Sequence, residues 1–340
     1  MKKNHCRLAA ALGFGLGVLA GALGVLVIRS RRKGHLSLTP RLAPSVIRGS
    51  EQGQSLYEPL TRSYIRIRDR RDEIADVPAT EEEVRAFLSL RRGLQPRTQE
   101  IRQKWPTPGG LGAGVAFREA LLHFRDSTSV YFYLVAPPTI GVQPEADLLY
   151  MTSSNTAGRG CEALLSFFNT EQYRCVFRIW DWAHPDQPNG GKFVRGFSYD
   201  QLSEYLIPYV FNLESGHELE TVCVYVVNVT RRTNGNSFTN EVYLHNHASG
   251  TRDLMWSYAF DWPDKSSTGA FWWGPIFETF PNPGARYVLA NPVGFDGALL
   301  VQDGAEYQMN DQNSTMTLPQ NNGLVEVYRP AGSNSGLVCT

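Results

Sequence analysis

The stretch Val222-Cys-Val-Tyr-Val-Val-Asn-Val-Thr230 decides the fold class. β-branched and aromatic residues fill both alternating sets of side chains. Such a segment reads as a strand buried on both faces, at the centre of a sheet. Downstream, Asn234-Gly235 is a tight-turn signal, and Glu241–His247 and Leu254–Trp262 follow as further strands. Upstream lie Val130–Val135, Leu148–Thr152, Leu164–Phe168 and Arg174–Trp180, the last two joined by the turn-forming run 169–172. Toward the C-terminus come Phe271–Phe280, then Ala298–Gln302 and Ala305–Met309 around Asp303-Gly304, and finally Leu324–Tyr328.

Helix signals are few. Ser198 with Gln201 forms a capping box for a short helix over Tyr199–Leu206. Phe117, Ala120, Leu121 and Phe124 share a helical face over 114–125. Thr80 with Glu83 opens a third helix near 81–91, before Gly93. Many short strands with turns between them and little helix predict an all-β, antiparallel β-sandwich of jelly-roll type over residues 111–340. No internal repeat is present, which excludes a propeller or solenoid.

Residues 1–7 are a polar flank to an apolar stretch, Leu8–Ile28, that holds no charge. Its 21 residues would span about 30 Å as a helix, enough to cross a bilayer. Lys2, Lys3 and Arg7 lie before it and Arg29, Arg31, Arg32 and Lys33 after it. The stretch is longer than a cleaved signal core, so an uncleaved transmembrane anchor is expected. Gly13, Gly17 and Gly21 line one face of that helix and suit self-association by close helix packing. Residues 29–110, broken by prolines, read as a stalk that is helical only near 81–91.

The whole chain is neutral, but from Arg29 to Lys104 there are 17 Lys and Arg against 10 Asp and Glu. From Trp105 onward there are 13 against 23. An acidic folded region argues against nucleic acid as a partner, whereas the basic stretch suits anionic lipid headgroups. Two glycosylation sequons, Asn228-Val-Thr230 and Asn313-Ser-Thr315, and the acidic domain lean toward the extracytoplasmic or lumenal side. Of the five cysteines, no two have C-x-x-C spacing; the four after the anchor suit either two disulfides or buried thiols.

Aromatic residues cluster on the expected strands: Trp180 and Trp182 flank Asp181, Trp272 and Trp273 are adjacent, and Trp256, Tyr258, Phe260 and Trp262 alternate along one face. Flat rings match the apolar faces of sugars, and carboxylates and amides match their hydroxyls. Glu278 shares a strand face with Trp272, Ile276 and Phe280, a costly place for an unused carboxylate. Glycoside hydrolysis would need a second carboxylate beside it. Asp181 is the first candidate, with Glu241 and Asp261 behind it. Val242 and Leu244 face the core, so Glu241, Tyr243, His245 and His247 lie on the opposite face as candidate ligand-binding groups. His245 and His247 could share a metal, but the glutamate that usually completes such a set is missing, and Asp253 lies too far on. Neither a metal nor a cofactor is assigned.

The pattern over Phe117–Tyr328 resembles the concanavalin A-like lectin and glucanase superfamily at the level of fold. One group of such glucanases carries E-x-D-x-x-E; here Glu145-Ala-Asp147 begins the run and Tyr150 stands where its last glutamate would fall. An aromatic-rich, acidic sandwich without a complete catalytic signature, behind an apolar anchor, is expected to be a non-catalytic carbohydrate-binding domain displayed from the membrane. The alternatives are a glycoside hydrolase using Glu278 and Asp181, and a non-enzymatic adhesion or structural protein.

Overall fold

Val222–Thr230 lies within a 17-residue strand that is buried on both faces: Val224, Tyr225, Val226 and Asn228 have no exposed surface. The computed structural model describes residues 41–42, 47–50, 53–58, 62–81, 84, 111–117, 127–134, 146–154, 159–168, 174–185, 191–212, 218–262, 276–281, 293–302, 305–308, 310, 312, 314–317, 325–328 and 336–339. The strands run β1 (Arg41–Leu42), β2 (Ile47–Ser50), β3 (Gly53–Glu58), β4 (Ser63–Asp69), β5 (Leu111–Phe117), β6 (Ser127–Leu134) and β7 (Ala146–Ser154). They continue as β8 (Cys161–Phe168), β9 (Arg174–Asp181), β10 (Lys192–Ser198), β11 (Ile207–Asn212), β12 (Glu218–Asn234), β13 (Ser237–Asn246) and β14 (Thr251–Asp261). The last are β15 (Ile276–Pro281), β16 (Val293–Gln302), β17 (Ala305–Gln308), β18 (Ser314–Thr317), β19 (Val325–Tyr328) and β20 (Gly336–Cys339).

Two sheets carry these strands. The larger runs β17-β16-β6-β12-β13-β14-β4-β3-β2, with β11 beside the first part of β12 and β20 beside β16. Among the described residues, the smaller has seven strands in the order β10-β9-β8-β7-β15-β5-β18. Among the described residues of β2–β20, β4 with β14 is a parallel pair and the other pairs are antiparallel. The protein is therefore all-β.

The burial of β12 has two different causes. Asn228 donates to the carbonyl of Cys161 on β8, so one face lies against the smaller sheet. On the other face Tyr225, Val227 and Val229 pack with Leu56 of β3 and Tyr243 of β13. Strand β3 is four places along the sheet from β12, so the sheet curls over and covers itself. Asn234-Gly235 turns β12 into β13, with Gly235 at φ +51°, where a side chain would be strained. Strands β16 and β17 pair antiparallel with Gln302 opposite Ala305, and β8 and β9 pair across 169–172.

Three expectations change. The helix expected at 114–125 does not begin as one: Leu111–Phe117 is β5, paired with β15 and β18. Its large residues Leu111, Val115 and Phe117 alternate with glycine and alanine at period two, which suits a strand. The region read as a stalk supplies β2, β3 and β4. Glu81 and Val84 are helical, with Val84 N bonded to Thr80 O, and the rest of 81–91 lies outside the described residues. The Asn228 sequon is closed, because Asn228 has no exposed surface and Thr230 is also buried.

Tyr199–Tyr205 is a 3-10 helix; Ser198 donates its backbone N–H and its hydroxyl to Gln201 Oε1 at 2.7 and 3.1 Å. Cys161 and Cys223 are buried and form no disulfide, and burial raises the pKa of Cys161 well above its usual value. Among the described residues no helix is long and apolar enough to cross a membrane. Residues 8–28, including Gly13, Gly17 and Gly21, lie outside them.

Candidate functional site

A segment without regular structure, Arg70–Thr80, leaves β4 and crosses to β10 of the smaller sheet. Its root is held by Asp253 on β14, which has no exposed surface. Asp253 accepts from Arg68 Nε and Nη2 at 3.1 and 2.5 Å, Tyr205 OH at 2.9 Å, Asn246 Nδ2 at 3.1 Å and Thr251 Oγ1 at 2.6 Å. Burial works to raise its pKa, but these donors carry it below the usual carboxylate value.

Farther along, the segment bonds to the small sheet backbone to backbone. Val77 N donates to Gly196 O at 2.8 Å, and Gly196 N donates to Asp76 Oδ1 at 2.6 Å. Two arginines finish the attachment. Arg178 of β9 donates to the carbonyls of Val77 and Pro78. Arg195 of β10 donates to those of Arg71 and Ile74. Glycine is required at 196, since a Cβ there would collide with the Arg178 guanidinium and the Val77 carbonyl.

Between this segment and the sheets lies a pocket of about 390 Å³. Asp76, Val77, Pro78 and Ala79 line one side. Arg178 and Trp180 of β9, Lys192–Arg195 of β10, His184 and Trp256 line the others, with Val84. Trp180 is fully buried and packs edge-on against Phe193 and Trp182, with centroids 4.9 and 5.6 Å apart. Gly191 has φ +89°, and a Cβ there would run into the Trp180 indole. Trp256 stacks at 6.5 Å on Tyr258, which meets the His184 ring at 5.2 Å. The aromatic row of β14 thus faces the smaller sheet, as its alternation predicts.

Asp181 lies behind this pocket. It has no exposed surface and accepts from Trp256 Nε1 at 2.9 Å, Asn240 Nδ2 at 3.0 Å and Ala183 N at 2.9 Å. Burial raises its pKa despite those donors. The carboxylate ties β9 to β13 and β14 and presents no open face to a substrate. Asp261 is on the opposite side of β14, exposed and bonded to Ser237 Oγ at 2.6 Å. Trp182 donates to Glu162 Oε1 at 3.0 Å.

Glu241, Tyr243 and His245 do share the expected face of β13, most of which the curled sheet covers; His247 lies past the end of the strand, in the turn 247–250. Glu241 is buried, bonded by Arg231 at 2.6 Å and by Tyr243 OH at 2.8 Å. Burial and then Glu241 raise the Tyr243 pKa. His245 packs against Arg252; burial and then that guanidinium lower its pKa to about 4. His247 is exposed. Among the described residues, no group of three or more His, Cys, Asp or Glu side chains is placed to hold a metal ion. Glu278 is on β15, between Tyr150 of β7 and Gly112 of β5. Its side chain lies outside the described ones, as do Trp272 and Trp273.

Of the expected site residues, the structure brings Trp180 to the pocket, leaves Glu241, Tyr243 and His245 on the other face of the larger sheet, and puts His247 in the turn beyond β13. Asp76, Lys192, Phe193 and Arg195 were not legible as site residues. The alternation of Phe193, Arg195 and Phe197 is a strand signal, but it follows the turn-rich run 185–191 and contains only one β-branched residue.

No protein-family model matches the chain, and no curated protein matches it. Among solved structures, the enzymatically active domain of bacteriophage CBA120 tailspike protein 2 is similar at 11% identity and a TM-score of 0.22, over 61% of this chain and 30% of that one. The full-length tailspike protein 2 from an Escherichia coli O157:H7 bacteriophage gives 12% identity and a TM-score of 0.22, over 61% and 27%. The chain thus spans less than a third of either tailspike. At these scores neither likeness carries an argument about fold or function.

Proposed function

We propose that the protein is a membrane-displayed, non-catalytic carbohydrate-binding domain on a jelly-roll-type sandwich of concanavalin A-like kind, with the ligand in the pocket under the 70–80 segment. The observation that carries this reading is the composition of that pocket. Trp256 and Phe193 lie beside Asp76, His184 and Lys192 in a space of about 390 Å³. Small-molecule sites combine apolar rings with a few polar groups in volumes of this order. Sugars call for both, because their C–H faces stack on rings and their hydroxyls need hydrogen-bond partners. The closed position of Asp181 favours binding over hydrolysis. The apolar, uncharged stretch 8–28 supports an anchor in the bilayer, the glycine stripe supports self-association, and the acidic domain supports an extracytoplasmic location.

The test is a glycan array beside a β-glucan hydrolysis assay, both with the full-length chain in non-ionic detergent. Binding without turnover, weakened at least about tenfold in Phe193→Ala, is expected. Turnover that disappears in Glu278→Gln would replace the reading with the hydrolase. Binding to no glycan would leave an adhesion or structural role. Carbonate extraction should leave the chain with the membrane fraction; release as a soluble protein would remove the anchor.

A further inference from the structure

The charge of the pocket wall narrows the ligand. Among the described lining residues there are three cations, Arg178, Lys192 and Arg195, and one carboxylate, Asp76. Asp76 is itself engaged, since its Oδ1 accepts from Gly196 N at 2.6 Å. It lies 3.8 Å from Arg195 Nε, an ion-pair distance without a hydrogen bond. Arg195 is the more informative cation. Its side chain is only 11% exposed, and the groups it bonds are neutral carbonyls: Arg71, Ile74 and, at 3.5 Å, Met255. Its Nε is buried without a hydrogen-bond partner. A buried cation among neutral acceptors, with its carboxylate neighbour out of hydrogen-bond reach, is a place where a further negative charge is stabilised. Burial accordingly lowers the Arg195 pKa, and the opposing effects of Asp76 and Asp72 do not restore it. Lys192, half-buried in the lining of the same pocket, adds a second positive charge.

We propose that this pocket selects sugars bearing an anionic group, carboxylate or sulfate, with Lys192 and Arg195 receiving the charge and Trp256 and Phe193 forming the platform for the ring. The proposal rests on the carbohydrate reading above and adds the chemical class of the sugar. The local balance stands out against the sequence around it, which from Trp105 onward carries 13 Lys and Arg against 23 Asp and Glu.

The experiment is isothermal titration of the full-length chain in non-ionic detergent with three trisaccharides: trigalacturonate, its fully methyl-esterified form, and a galactose 6-sulfate trisaccharide. The methyl ester keeps the shape and removes the charge. Trigalacturonate, the sulfated trisaccharide or both should bind at least about tenfold more tightly than the ester, with affinity falling as salt rises. Lys192→Gln should weaken that preference at least about threefold, and Lys192→Arg should keep it. Circular dichroism and the thermal midpoint of each variant show that it is folded. Arg195→Lys, which keeps the charge but loses the fork on the 70–80 segment, is the second variant and should retain part of the preference. Equal binding of acid and ester, or a preference unchanged in Lys192→Gln, would overturn the charge inference and leave the carbohydrate reading standing. No binding of any of the three, together with an array blank for neutral sugars, would overturn both.

Discussion

Arg252→Met should be among the most damaging single substitutions in the larger sheet. Arg252 and Glu58 are 3% and 4% exposed and form an ion pair between β14 and β3, two strands that are not neighbours. Tyr225 OH donates to the other Glu58 oxygen at 3.3 Å, and the Arg252 guanidinium lies 4.7 Å from the Tyr225 ring centroid. The pair therefore fastens the curled part of the sheet to β12. Removing the cation takes the charged partner from a buried carboxylate, which costs about 3–5 kcal/mol, and the lost cation–π contact acts in the same direction. With a urea m-value near 3 kcal/mol/M, the unfolding midpoint falls by roughly 1–1.7 M. The assay is equilibrium urea unfolding followed by far-ultraviolet circular dichroism and tryptophan fluorescence, whose coincidence checks two-state behaviour. The double variant Glu58→Leu/Arg252→Met removes both charges and should recover most of the loss, to within about 2 kcal/mol of the parent. A loss below about 1 kcal/mol for Arg252→Met, or a double variant no more stable than the single one, would refute the reasoning.

Three further outcomes are expected. Asp181→Leu strands the buried donors of Trp256, Asn240 and Ala183 and should cost about 3 kcal/mol or more, with Asp181→Asn milder; equal midpoints for the two would show that the carboxylate does not bind the sheets together. Gly191→Ala strains a left-handed residue against the Trp180 indole and should cost about 1–3 kcal/mol, read as a lower thermal midpoint and a changed tryptophan emission; an unchanged midpoint would contradict the packing. His245, at about 4 in the folded chain, lies below its unfolded value near 6.5, so the unfolded chain binds the proton first. Its contribution is complete above pH 6.5 and is lost as pH falls toward 4, in the same direction as Asp253 and opposed by the raised Asp181. His245→Gln should flatten stability between pH 6.5 and 4; an unaltered slope would exclude His245 as its source.

The all-β class was legible because Val222–Thr230 has no polar face and because Asn234-Gly235 and Asp303-Gly304 fit only tight hairpin turns. Those are local properties, set by backbone sterics and side-chain alternation. The aromatic row Trp256 to Trp262 was legible for the same reason. The carboxylates were harder, because a sequence shows that Asp181 stands between two tryptophans but not that Trp256 and Asn240 reach it from other strands. Likewise, the alternation of Glu241, Tyr243, His245 and His247 put them on one face, but only the sheet's curl decided that Arg252, Glu58 and Leu56 would cover that region. The pocket itself depends on a connection with no periodic signal. Arg70–Thr80 owes its course to Arg178, Arg195 and Asp253, residues far from it in the chain. Alternation and turn chemistry act over a few residues and can be read in order along the chain. Burial, charge pairing and the walls of a cavity depend on residues that meet only after the sheets have packed.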